Sequence, residues 1–477
     1  MPKYDYDLIV IGGGAAGFVS SKLANGLGKK VALIEKERLG GDCTNYGCIP
    51  SKALIRASSM AHHMKHLKQY GLHMSSQTDI DTNAVMTHVR SVVQKVYEGH
   101  SADNFRKLGI DVLSGAPRFI DAHSVVIDDK VFSSRRFLIA TGSRAFVPPI
   151  EGLQSAPYLT NKTFFDLERL PKSMIVLGGG PIGTELASAL SRLGVEVTIV
   201  EMGERLLMRE DGELVRILTE RLAQEGVRIM TKAKAIKFSQ ENGKIVLAVE
   251  SENLQKELKA DTVLVAVGRT ANVEGLNLEK AGVRYTEKGI LTDASLQTTA
   301  PGIYACGDVV GPYQFSHMAE YQAVIATRNA FFPLKRKARY ENAAWCTFTD
   351  PELAHAGLTE KEAKEKYGDR VRIYRHEYKD IDRARTDVSE IGMSKFICDL
   401  RGRLLGAHIL GSRAGELIHE VQLARSMGIP FYKLYSVIHI YPTYTDAVKQ
   451  PSKLCYIDRL GNNVFLKMLR VLLGKKK

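Results

Sequence analysis

The sequence is poor in features that mark secreted, membrane-spanning and disulfide-stabilised proteins. Its 477 residues include only six cysteines, too few and too scattered for a disulfide scaffold, so a close thiol pair is expected to be catalytic or metal-binding. No uncharged apolar run reaches the roughly 18 residues that suggest a membrane span. Met1-Pro2-Lys3 leads almost directly into an apolar strand pattern, without room for a secretion leader. We therefore expect a cytoplasmic protein.

The sequence also lacks a long block of one charge. The formal net charge is +13, but basic residues alternate with Asp and Glu along the chain, which favours a solvated surface over a nucleic-acid site. The exception is the tail at 464–477, which is apolar except for Lys467, Arg470 and three final lysines. Such a tail can lie on an anionic membrane, but packing against its own dimer is the favoured interpretation.

What the sequence does contain is a dinucleotide-binding pattern near its start. A strand pattern, Tyr6 to Ile11, is followed by Gly12-Gly13-Gly14-Ala15-Ala16-Gly17, a helical stretch to Leu27, a second strand, Val31 to Ile34, and Glu35. This order of strand, GxGxxG, helix, strand and acid is typical of a nucleotide-binding βαβ unit.

Each part of this pattern has a physical role. Gly12 permits a tight turn, Gly14 lets the backbone approach a diphosphate, and Gly17 lets the helix pack close to the strand. The helix N-terminus supplies unpaired N–H donors. Glu35 can accept both ribose hydroxyls of an adenosine.

The same pattern recurs in the middle of the chain. Met174 to Leu177 leads into Gly178-Gly179-Gly180-Pro181-Ile182-Gly183, a helix, a strand from Val195 to Val200, and Glu201. The acid follows the first glycine at the same spacing in both copies, from 12 to 35 and from 178 to 201. An internal duplication therefore predicts two bound dinucleotides.

The second acid bears on the choice of nicotinamide nucleotide. The carboxylate of Glu201 suits the free 2′-hydroxyl of NAD and repels the 2′-phosphate of NADP. Arg205 is close enough in sequence to reduce that repulsion. We expect NADH to be preferred over NADPH.

The segment from Gly40 to Lys52 carries the most specific signal. Only Cys43 and Cys48 are close together in sequence, with four residues between them, at the predicted start of a helix. This arrangement fits a reversible disulfide beside a flavin. Zinc binding is the alternative, but no second pair of Cys or His completes four ligands; two inert cysteines would be the structural alternative.

With these motifs, the chain resembles the dihydrolipoamide dehydrogenase, glutathione reductase and mercuric reductase family over essentially its full length. Further matching motifs are Ala140-Thr141-Gly142-Ser143, Val267-Gly268-Arg269 and the segment from Thr298 to Asp308. The resemblance implies an α/β fold of two Rossmann-like domains, one for FAD and one for NAD, and a C-terminal α+β dimerisation domain. The implied boundaries are 1–147 and 271–339 for FAD, 148–270 for NAD, 340–460 for the interface and 461–477 for the tail.

The resemblance also implies the residues that contact each cofactor. Those for FAD are Gly12, Gly14, Ala16, Gly17, Glu35, Lys36, Gly41, Lys52, Gly115, Thr141, Gly142, Ser143, Asp308, Gln314 and His317. Those for NAD are Gly178, Gly180, Ile182, Gly183, Glu201 and Gly268. Asp308 is expected to hold the ribityl chain, and Lys52 to lie near flavin N5, paired with Glu185.

By the same resemblance, electrons pass from the reduced nicotinamide through the flavin to Cys48 and leave through Cys43, which meets the substrate. Cys48, near a helix N-terminus, is expected to be the more readily ionised sulfur. The chain is expected to be a homodimer in which the partner subunit completes the active site. Tyr441-Pro442 is a candidate cis peptide bond.

The chain departs from the family where disulfide-reducing members carry a His-Glu pair that shuttles a proton. Tyr441 replaces the histidine and Asp446 the glutamate. A tyrosine with a pKa near 10 does not exchange protons at neutral pH as histidine does. His439 is either a substitute or a structural histidine. In addition, Asp42 stands where the family usually has threonine; a carboxylate there would disfavour the Cys43 thiolate unless it turns away.

Tyrosine at 441 resembles mercuric reductases, in which a soft metal ion meets the thiols. However, no cysteine-containing capture domain precedes Tyr6, and the C-terminal region has only Cys455 in place of a vicinal pair. We expect an NADH-linked flavin–dithiol oxidoreductase with a thiol, disulfide or soft-metal acceptor. Rival hypotheses are dihydrolipoamide dehydrogenase proper, a transhydrogenase or NADH oxidase acting at the flavin, and a non-enzymatic subunit.

One further cluster has the residue types of a metal site. His62, His63, His66 and His73 fall close together, the first and third four residues apart on a predicted helix. No carboxylate or cysteine converges on them in sequence, so a solvated helix face is favoured. The sequence therefore predicts no resident metal site.

Overall fold

Parallel strands, helices and an antiparallel C-terminal sheet make up the chain, as the fold class predicted. The structure is a computed structural model and describes residues 4–73, 79–252 and 254–462. The predicted tail lies almost wholly outside the described residues. None of the helices described is both long enough and apolar enough to cross a membrane.

The α-helices of the described residues are α1 (Ala15–Gly26), α2 (Gly41–Asn45), α3 (Cys48–Lys65), α4 (Thr82–Glu98), α5 (Ala102–Lys107), α6 (Asn161–Phe164), α7 (Pro181–Arg192), α8 (Gly212–Gln224), α9 (Ser316–Phe331), α10 (Glu360–Tyr367), α11 (Asp382–Thr386), α12 (Ala414–Ser426) and α13 (Asp446–Asn462).

The strands up to residue 177 are β1 (Leu8–Ile11), β2 (Val31–Glu35), β3 (Asp111–Ser114), β4 (Arg118–Asp121), β5 (Ser124–Ile127), β6 (Lys130–Ser133), β7 (Phe137–Ile139), β8 (Ser143–Ala145), β9 (Tyr158–Leu159) and β10 (Ser173–Leu177). The later strands are β11 (Glu196–Val200), β12 (Arg228–Met230), β13 (Ala233–Glu241), β14 (Lys244–Ser251), β15 (Leu254–Ala260), β16 (Thr262–Val265), β17 (Arg269–Ala271), β18 (Tyr285–Thr286), β19 (Gly289–Ile290), β20 (Ile303–Ala305), β21 (Ala344–Thr347), β22 (Glu352–Gly357), β23 (Val371–Glu377), β24 (Met393–Asp399) and β25 (Leu404–Gly411).

The described residues form two compact units. The first is built from residues 4–178, 193–196 and 234–339, and the second from 179–192, 197–233 and 340–462. The predicted boundaries between the FAD, NAD and interface domains remain predictions.

The main sheet of the first unit has the strand order β20-β7-β1-β2-β3, and its strands pair in parallel. β1 is buried on both faces: Leu8 and Val10 pack into one hydrophobic cluster with residues of α1 and α9, and Ile9 and Ile11 into another with Phe119 and Phe137. Such a continuous apolar strand is typical of a parallel sheet covered on both sides. The first βαβ unit is therefore present as predicted.

The described residues of the first unit also contain a second parallel strand set, two antiparallel strand pairs (β8 with β17 and β18 with β19) and two three-stranded sheets. β10 pairs in parallel with β16, and β16 with β9. β13, β14 and β15 form one antiparallel sheet, and β4, β5 and β6 another. β10 leads directly into the second glycine motif, so its carboxyl end presents that turn.

The second unit is organised around the antiparallel sheet β21-β22-β25-β24-β23. Its apolar face packs with α12 and α13 in a cluster that includes Phe396, Ile409, Val421 and Val448. The parallel pair β11 and β12 and the helices α7 and α8 belong to the same unit. This antiparallel sheet corresponds to the predicted α+β domain.

Candidate active site

The first glycine turn is shaped so that a larger residue does not fit. Gly12 has φ +107°, and a Cβ there would lie 2.3 Å from the carbonyl oxygen of Ala140. A Cβ on Gly17, in α1, would lie 1.9 Å from the carbonyl oxygen of Gly12. Strand, turn and helix therefore approach as closely as the GxGxxG pattern requires.

The N-terminus of α1 is available to an anion. The helix starts after Gly14, and no side chain caps it; its first N–H groups and its dipole favour a phosphate. Glu35 lies at the end of β2, where Oε2 accepts the N–H of Gly13 at 2.7 Å and Oε1 that of Glu37 at 2.8 Å. These residues fit the diphosphate and ribose of a dinucleotide.

Asp308 lies after β20 in a polar cluster. Its Oδ2 accepts the Ser143 hydroxyl at 2.7 Å, and the Arg269 guanidinium lies 3.8 Å away. Burial raises the pKa of Asp308, while the Ser143 hydrogen bond and the Arg269 charge oppose the rise. Thr141 is held by reciprocal hydrogen bonds with Asn272. The structure thus brings Ser143 and Asp308, two of the predicted FAD residues, together.

The remaining predicted FAD residues lie on several elements of the first unit. Gly41 begins α2, next to the turn: a Cβ there would lie 2.8 Å from the Cα of Gly14. Ala16 is buried in α1, Gly115 follows β3, and Gly142 accepts the N–H of Asn272. Lys36, Gln314 and His317 are exposed.

The two cysteines meet at the junction of two helices. Cys43 lies in α2 and Cys48 is the first residue of α3. The hydrogen bond to the Cys48 thiol, followed by burial, raises the pKa of Cys43. Cys48 is the more exposed of the two, and a helix N-terminus favours its thiolate. This arrangement favours the negative charge on Cys48.

Ser316, the first residue of α9, was missed by the sequence analysis. Its Oγ lies 3.5 Å from the Cys48 Sγ, and a hydrogen bond from it lowers the pKa of Cys43, against the larger effects that raise it. It lies between Gln314 and His317, two residues that the resemblance predicted to contact FAD. This position between two predicted FAD residues was the sequence signal that could have indicated Ser316.

The carboxylate of Asp42 forms an ion pair and a hydrogen bond within the first unit. Its Oδ2 lies 3.1 Å from the Arg269 guanidinium, and Oδ1 accepts the side-chain amide of Asn161 at 2.9 Å. The carboxylate thus has partners other than the thiol. Asn161 carried no sequence signal because it lies 119 positions from Asp42 along the chain.

The second glycine motif reproduces the first. Gly178, after β10, has φ +99°, and a Cβ there would lie 2.5 Å from the carbonyl oxygen of Ala266. At the end of β11, Glu201 Oε2 accepts the N–H of Gly179 at 2.6 Å and Oε1 that of Gly203 at 2.5 Å. The two acids therefore occupy equivalent backbone-held positions. Gly180, Ile182 and Gly183 lie at the start of α7, and Gly268 precedes β17.

Arg205 has other partners in this structure. Its guanidinium donates to the backbone carbonyls of Leu206, Leu207, Met208 and Glu210 at 2.8–3.3 Å. These hydrogen bonds stabilise the loop that contains Arg205.

The predicted partners Lys52 and Glu185 lie in different units. Lys52, in α3, donates to the Ser51 hydroxyl at 3.3 Å. Glu185, in α7, accepts the N–H of Phe348 at 2.8 Å. Their pairing with each other remains a prediction.

The segment that departs from the family lies before α13. The Tyr441–Pro442 peptide bond is cis, as the sequence suggested. The Tyr441 hydroxyl donates to Asp382 at 3.1 Å, which raises the pKa of the phenol. Asp446 is the first residue of α13. The catalytic roles assigned to these residues remain predictions.

His439 is held on both ring nitrogens. Nε2 lies 2.9 Å from a carboxylate oxygen of Glu420, and Nδ1 lies 2.9 Å from the carbonyl oxygen of Val437. These contacts support the structural interpretation of this histidine.

The histidine cluster lies on an exposed helix end. The ring of His62, in the last turns of α3, lies 4.2 Å from that of His66, the residue after the helix. The Nδ1 atoms of His63 and His66 face carbonyl oxygens one turn earlier. His73 lies beyond the helix. The contacts favour a surface helix end.

Known proteins resemble this chain along nearly all of its length. The profile of the Pyridine nucleotide-disulphide oxidoreductase family matches residues 6–323, and that of its dimerisation domain matches residues 343–452. Mercuric reductase of Bacillus cereus is 34% identical over 449 residues, or 94% of this chain and 71% of the relative. Dihydrolipoyl dehydrogenase of Thermus scotoductus is 34% identical over 455 residues, covering 94% and 97% respectively.

Solved structures agree. The HOCl-induced flavoprotein disulfide reductase of Escherichia coli superimposes with a TM-score of 0.85 at 29% identity, covering 94% of this chain and all of that protein. Its Cu(II) complex gives a TM-score of 0.84. With two glycine motifs, a cysteine pair and a matching dimerisation domain in place, this chain belongs to the pyridine nucleotide-disulphide oxidoreductase family.

Proposed function

We propose that this protein is an NADH-dependent flavoenzyme that reduces a soft metal ion at the Cys43/Cys48 dithiol. The family is FAD-dependent, with NAD(P)H as electron donor. When bound, FAD takes a hydride from the nicotinamide and passes two electrons on. The chain's own residues orient the cofactors and tune the thiols.

The observation that carries the choice of acceptor is the absence of an imidazole at position 441. Reduction of a disulfide breaks an S–S bond and leaves a thiolate that must take a proton. Tyr441 donates its hydroxyl to Asp382, and its pKa is raised, so it does not cycle protons near pH 7. His439 is engaged by Glu420 and Val437. A metal ion on two thiolates needs no such proton.

The thiols suit a soft ion. Thiolate sulfur selects soft metals over hard ones, and Cys48 is exposed with its charge favoured by the start of α3. The Arg269 and Asn161 contacts to Asp42 limit the repulsion that this carboxylate would add. One NADH supplies two electrons, which convert one Hg²⁺ to Hg⁰, or two Cu²⁺ to two Cu⁺, with release of NAD⁺ and a proton.

Two of the similar proteins support this proposal, and two, one of them the flavoprotein disulfide reductase itself, support a second candidate. Mercuric reductase and the Cu(II) complex of the flavoprotein disulfide reductase concern soft or borderline metal ions. Dihydrolipoyl dehydrogenase of Thermus scotoductus matches over 97% of its own length, which makes a dithiol substrate the second candidate. Tyr441 argues against rapid turnover of that substrate.

The nicotinamide is proposed to be NADH. Two backbone N–H groups hold the Glu201 carboxylate, and by the family pattern this acid would face the adenosine ribose, where it would repel a 2′-phosphate. Arg205, the nearby cation that could offset it, is occupied by four carbonyls.

The assembly is proposed to be a homodimer in the cytoplasm. The dimerisation profile covers residues 343–452, and the segment at 437–441 leaves apolar side chains uncovered: Ile438 is 98% exposed and Ile440 80%. A second copy of the chain would bury these side chains.

The experiment is an anaerobic turnover assay of the purified flavoprotein with NADH against Hg²⁺, Cu²⁺, lipoamide and oxidised glutathione. We expect metal-dependent NADH oxidation that Cys48→Ser abolishes, with little lipoamide turnover. Tyr441→His should raise lipoamide turnover by about 10²-fold, the lower range for a general acid–base group, while the matched control Tyr444→His should not. Rapid lipoamide reduction by the unaltered protein would overturn the metal assignment and favour dihydrolipoyl dehydrogenase activity.

A further inference from the structure

Three buried residues of the second unit converge on one point. Glu210 lies in the loop before α8, His355 on β22 and His408 on β25, and each is at most 2% exposed. The two histidines are directly opposite each other in the antiparallel pair of strands. One ligand atom from each of the three residues lies within 4.8 Å of the other two.

The hydrogen bonds fix which ring atoms face this point. His355 Nε2 lies 2.8 Å from the carbonyl oxygen of Gly357, and His408 Nε2 lies 2.9 Å from that of Leu358. A carbonyl can only accept, so each Nε2 carries the hydrogen. In a neutral imidazole, Nδ1 then carries no hydrogen and presents a lone pair. Metal-binding histidines commonly have this arrangement, in which the other ring N–H donates a hydrogen bond to a backbone carbonyl.

The carboxylate is oriented in the same way. Glu210 Oε1 accepts the indole N–H of Trp345 at 2.6 Å, while Oε2 lies 3.0 Å from His355 Nδ1. A carboxylate oxygen and an imidazole lone pair repel each other unless a positive charge is shared between them. Either a proton or a metal ion can supply it.

His408 distinguishes these two options. Its Nδ1 is buried and has no hydrogen-bond partner among the described residues. Because Nε2 already donates to Leu358, Nδ1 is the ring atom left for another partner. A proton shared by Glu210 and His355 would leave this lone pair unsatisfied, which costs about 1–3 kcal/mol.

We propose that Glu210, His355 and His408 bind one Zn²⁺ ion that stabilises the second unit. Zinc is commonly held by imidazole nitrogen and carboxylate oxygen at about 2.0–2.2 Å, which puts tetrahedral ligand atoms about 3.3–3.6 Å apart. The three ligand atoms lie within 4.8 Å of one another, so a pair at that limit would have to close by about 1.2–1.5 Å on binding. The ion would join the loop before α8 to β22 and β25. This site is independent of the proposed substrate chemistry, because none of its ligands belongs to the thiol site.

A fluorescent residue of the chain lies beside this cluster and can report on metal binding. Trp345 is the single tryptophan of the chain, its ring is stacked on His355 with centroids 3.9 Å apart, and its indole contacts Glu210. Co²⁺, which takes the same ligands, should quench its fluorescence and produce visible bands of tetrahedral cobalt.

The test uses the full-length flavoprotein in a Cys43→Ser, Cys48→Ser background, so that the dithiol cannot hold a metal. We expect about one zinc per chain after dialysis against a weak chelator, and saturable quenching of Trp345 by Co²⁺ after exchange. His408→Gln keeps a donor for Leu358 and removes the Nδ1 lone pair; it should weaken Co²⁺ binding by more than about 100-fold, since removing even outer partners of a ligand costs 10–100-fold. His66→Gln, on the exposed helix end, is the matched control and should bind as before.

Two results would overturn the proposal: no metal retained and no quenching at micromolar Co²⁺ in the parent protein, or equal binding by the His408→Gln and parent proteins. Absence of metal binding by the parent protein would mean that a proton, shared by Glu210 and His355, supplies the positive charge between these two side chains. Because the parent protein is itself titrated, a His408→Gln variant that fails to fold does not remove the test.

Discussion

Lys395 is the buried cation of the second unit whose removal makes the sharpest stability test. It lies on β24 with its side chain 3% exposed, and its Nζ lies 2.9 Å from Asp211, 2.7 Å from Glu213 and 2.5 Å from Glu360. Arg375 also contacts Glu213 and Glu360. Lys395→Met keeps the length of the side chain and removes its charge, leaving Asp211 without that partner.

The size of the effect follows from burial. Removing one partner of a buried ion pair costs about 3–5 kcal/mol because a charge is left uncompensated, whereas an exposed pair contributes about 0–1 kcal/mol. Lys364 provides the matched control: it contacts the same Glu360 at 2.6 Å, but its side chain is 60% exposed. We therefore expect Lys395→Met to lower the free energy of unfolding by about 3–5 kcal/mol and Lys364→Met by less than about 1 kcal/mol.

The pH dependence has a definite sign. Burial favours higher pKa values for Glu213 and Glu360, but hydrogen bonds and charges from Lys395, Arg375 and, at Glu360, Lys364 outweigh it and hold both pKa values below their usual range. Depressed pKa values stabilise the folded state above the unfolded pKa of about 4, and this stability is lost as pH falls through the folded values. Without Lys395, the carboxylates repel one another, so the deficit should narrow as pH falls from 7 towards 5.

The assay is urea unfolding followed by fluorescence of Trp345, which reports on the second unit alone and avoids treating the whole chain as two-state. The reasoning is refuted if the Lys395 and Lys364 variants lose the same stability, or if the deficit of Lys395→Met is unchanged between pH 7 and 5.

Three further predictions concern the cofactor sites and the thiols. Gly17→Ala, whose Cβ would lie 1.9 Å from a backbone oxygen, should purify with little FAD, while Gly26→Ala at the end of the same helix, with nothing within 4 Å, should retain it; flavin absorbance per chain measures both, and equal content would contradict the packing argument. Glu201→Ala should lower the ratio of kcat/KM for NADH to that for NADPH by about tenfold or more, because losing the expected hydrogen bond between this carboxylate and the NADH ribose costs about 1.5–3 kcal/mol. An unchanged ratio would show that Glu201 does not set the nucleotide preference. Alkylation of the native reduced protein, read by peptide mass spectrometry, should spare the cysteines that are at most 2% exposed and label them only after denaturation: Cys306, Cys398 and Cys455.

The thiols show how a local pattern and its surroundings differ in predictability. The Cys43/Cys48 spacing and the helix that begins at Cys48 were visible in sequence, because both depend on neighbouring residues. The pairing of Asp42 with Arg269 and Asn161 was not, since those residues lie far along the chain. The effect of Asp42 on the thiol could not be judged before its partners were known.

The sequence by itself determined the family, the two nucleotide-binding units and the residues at each glycine turn. Those features are local, because GxGxxG and the acid after the second strand lie within one βαβ unit, where chain geometry alone sets the spacing. The tertiary structure alone decided what was expected least, the convergence of Glu210, His355 and His408. Strand pairing sets His355 opposite His408, and Glu210, in a loop 145 positions before His355, supplies the carboxylate. No spacing in the sequence therefore predicts the cluster.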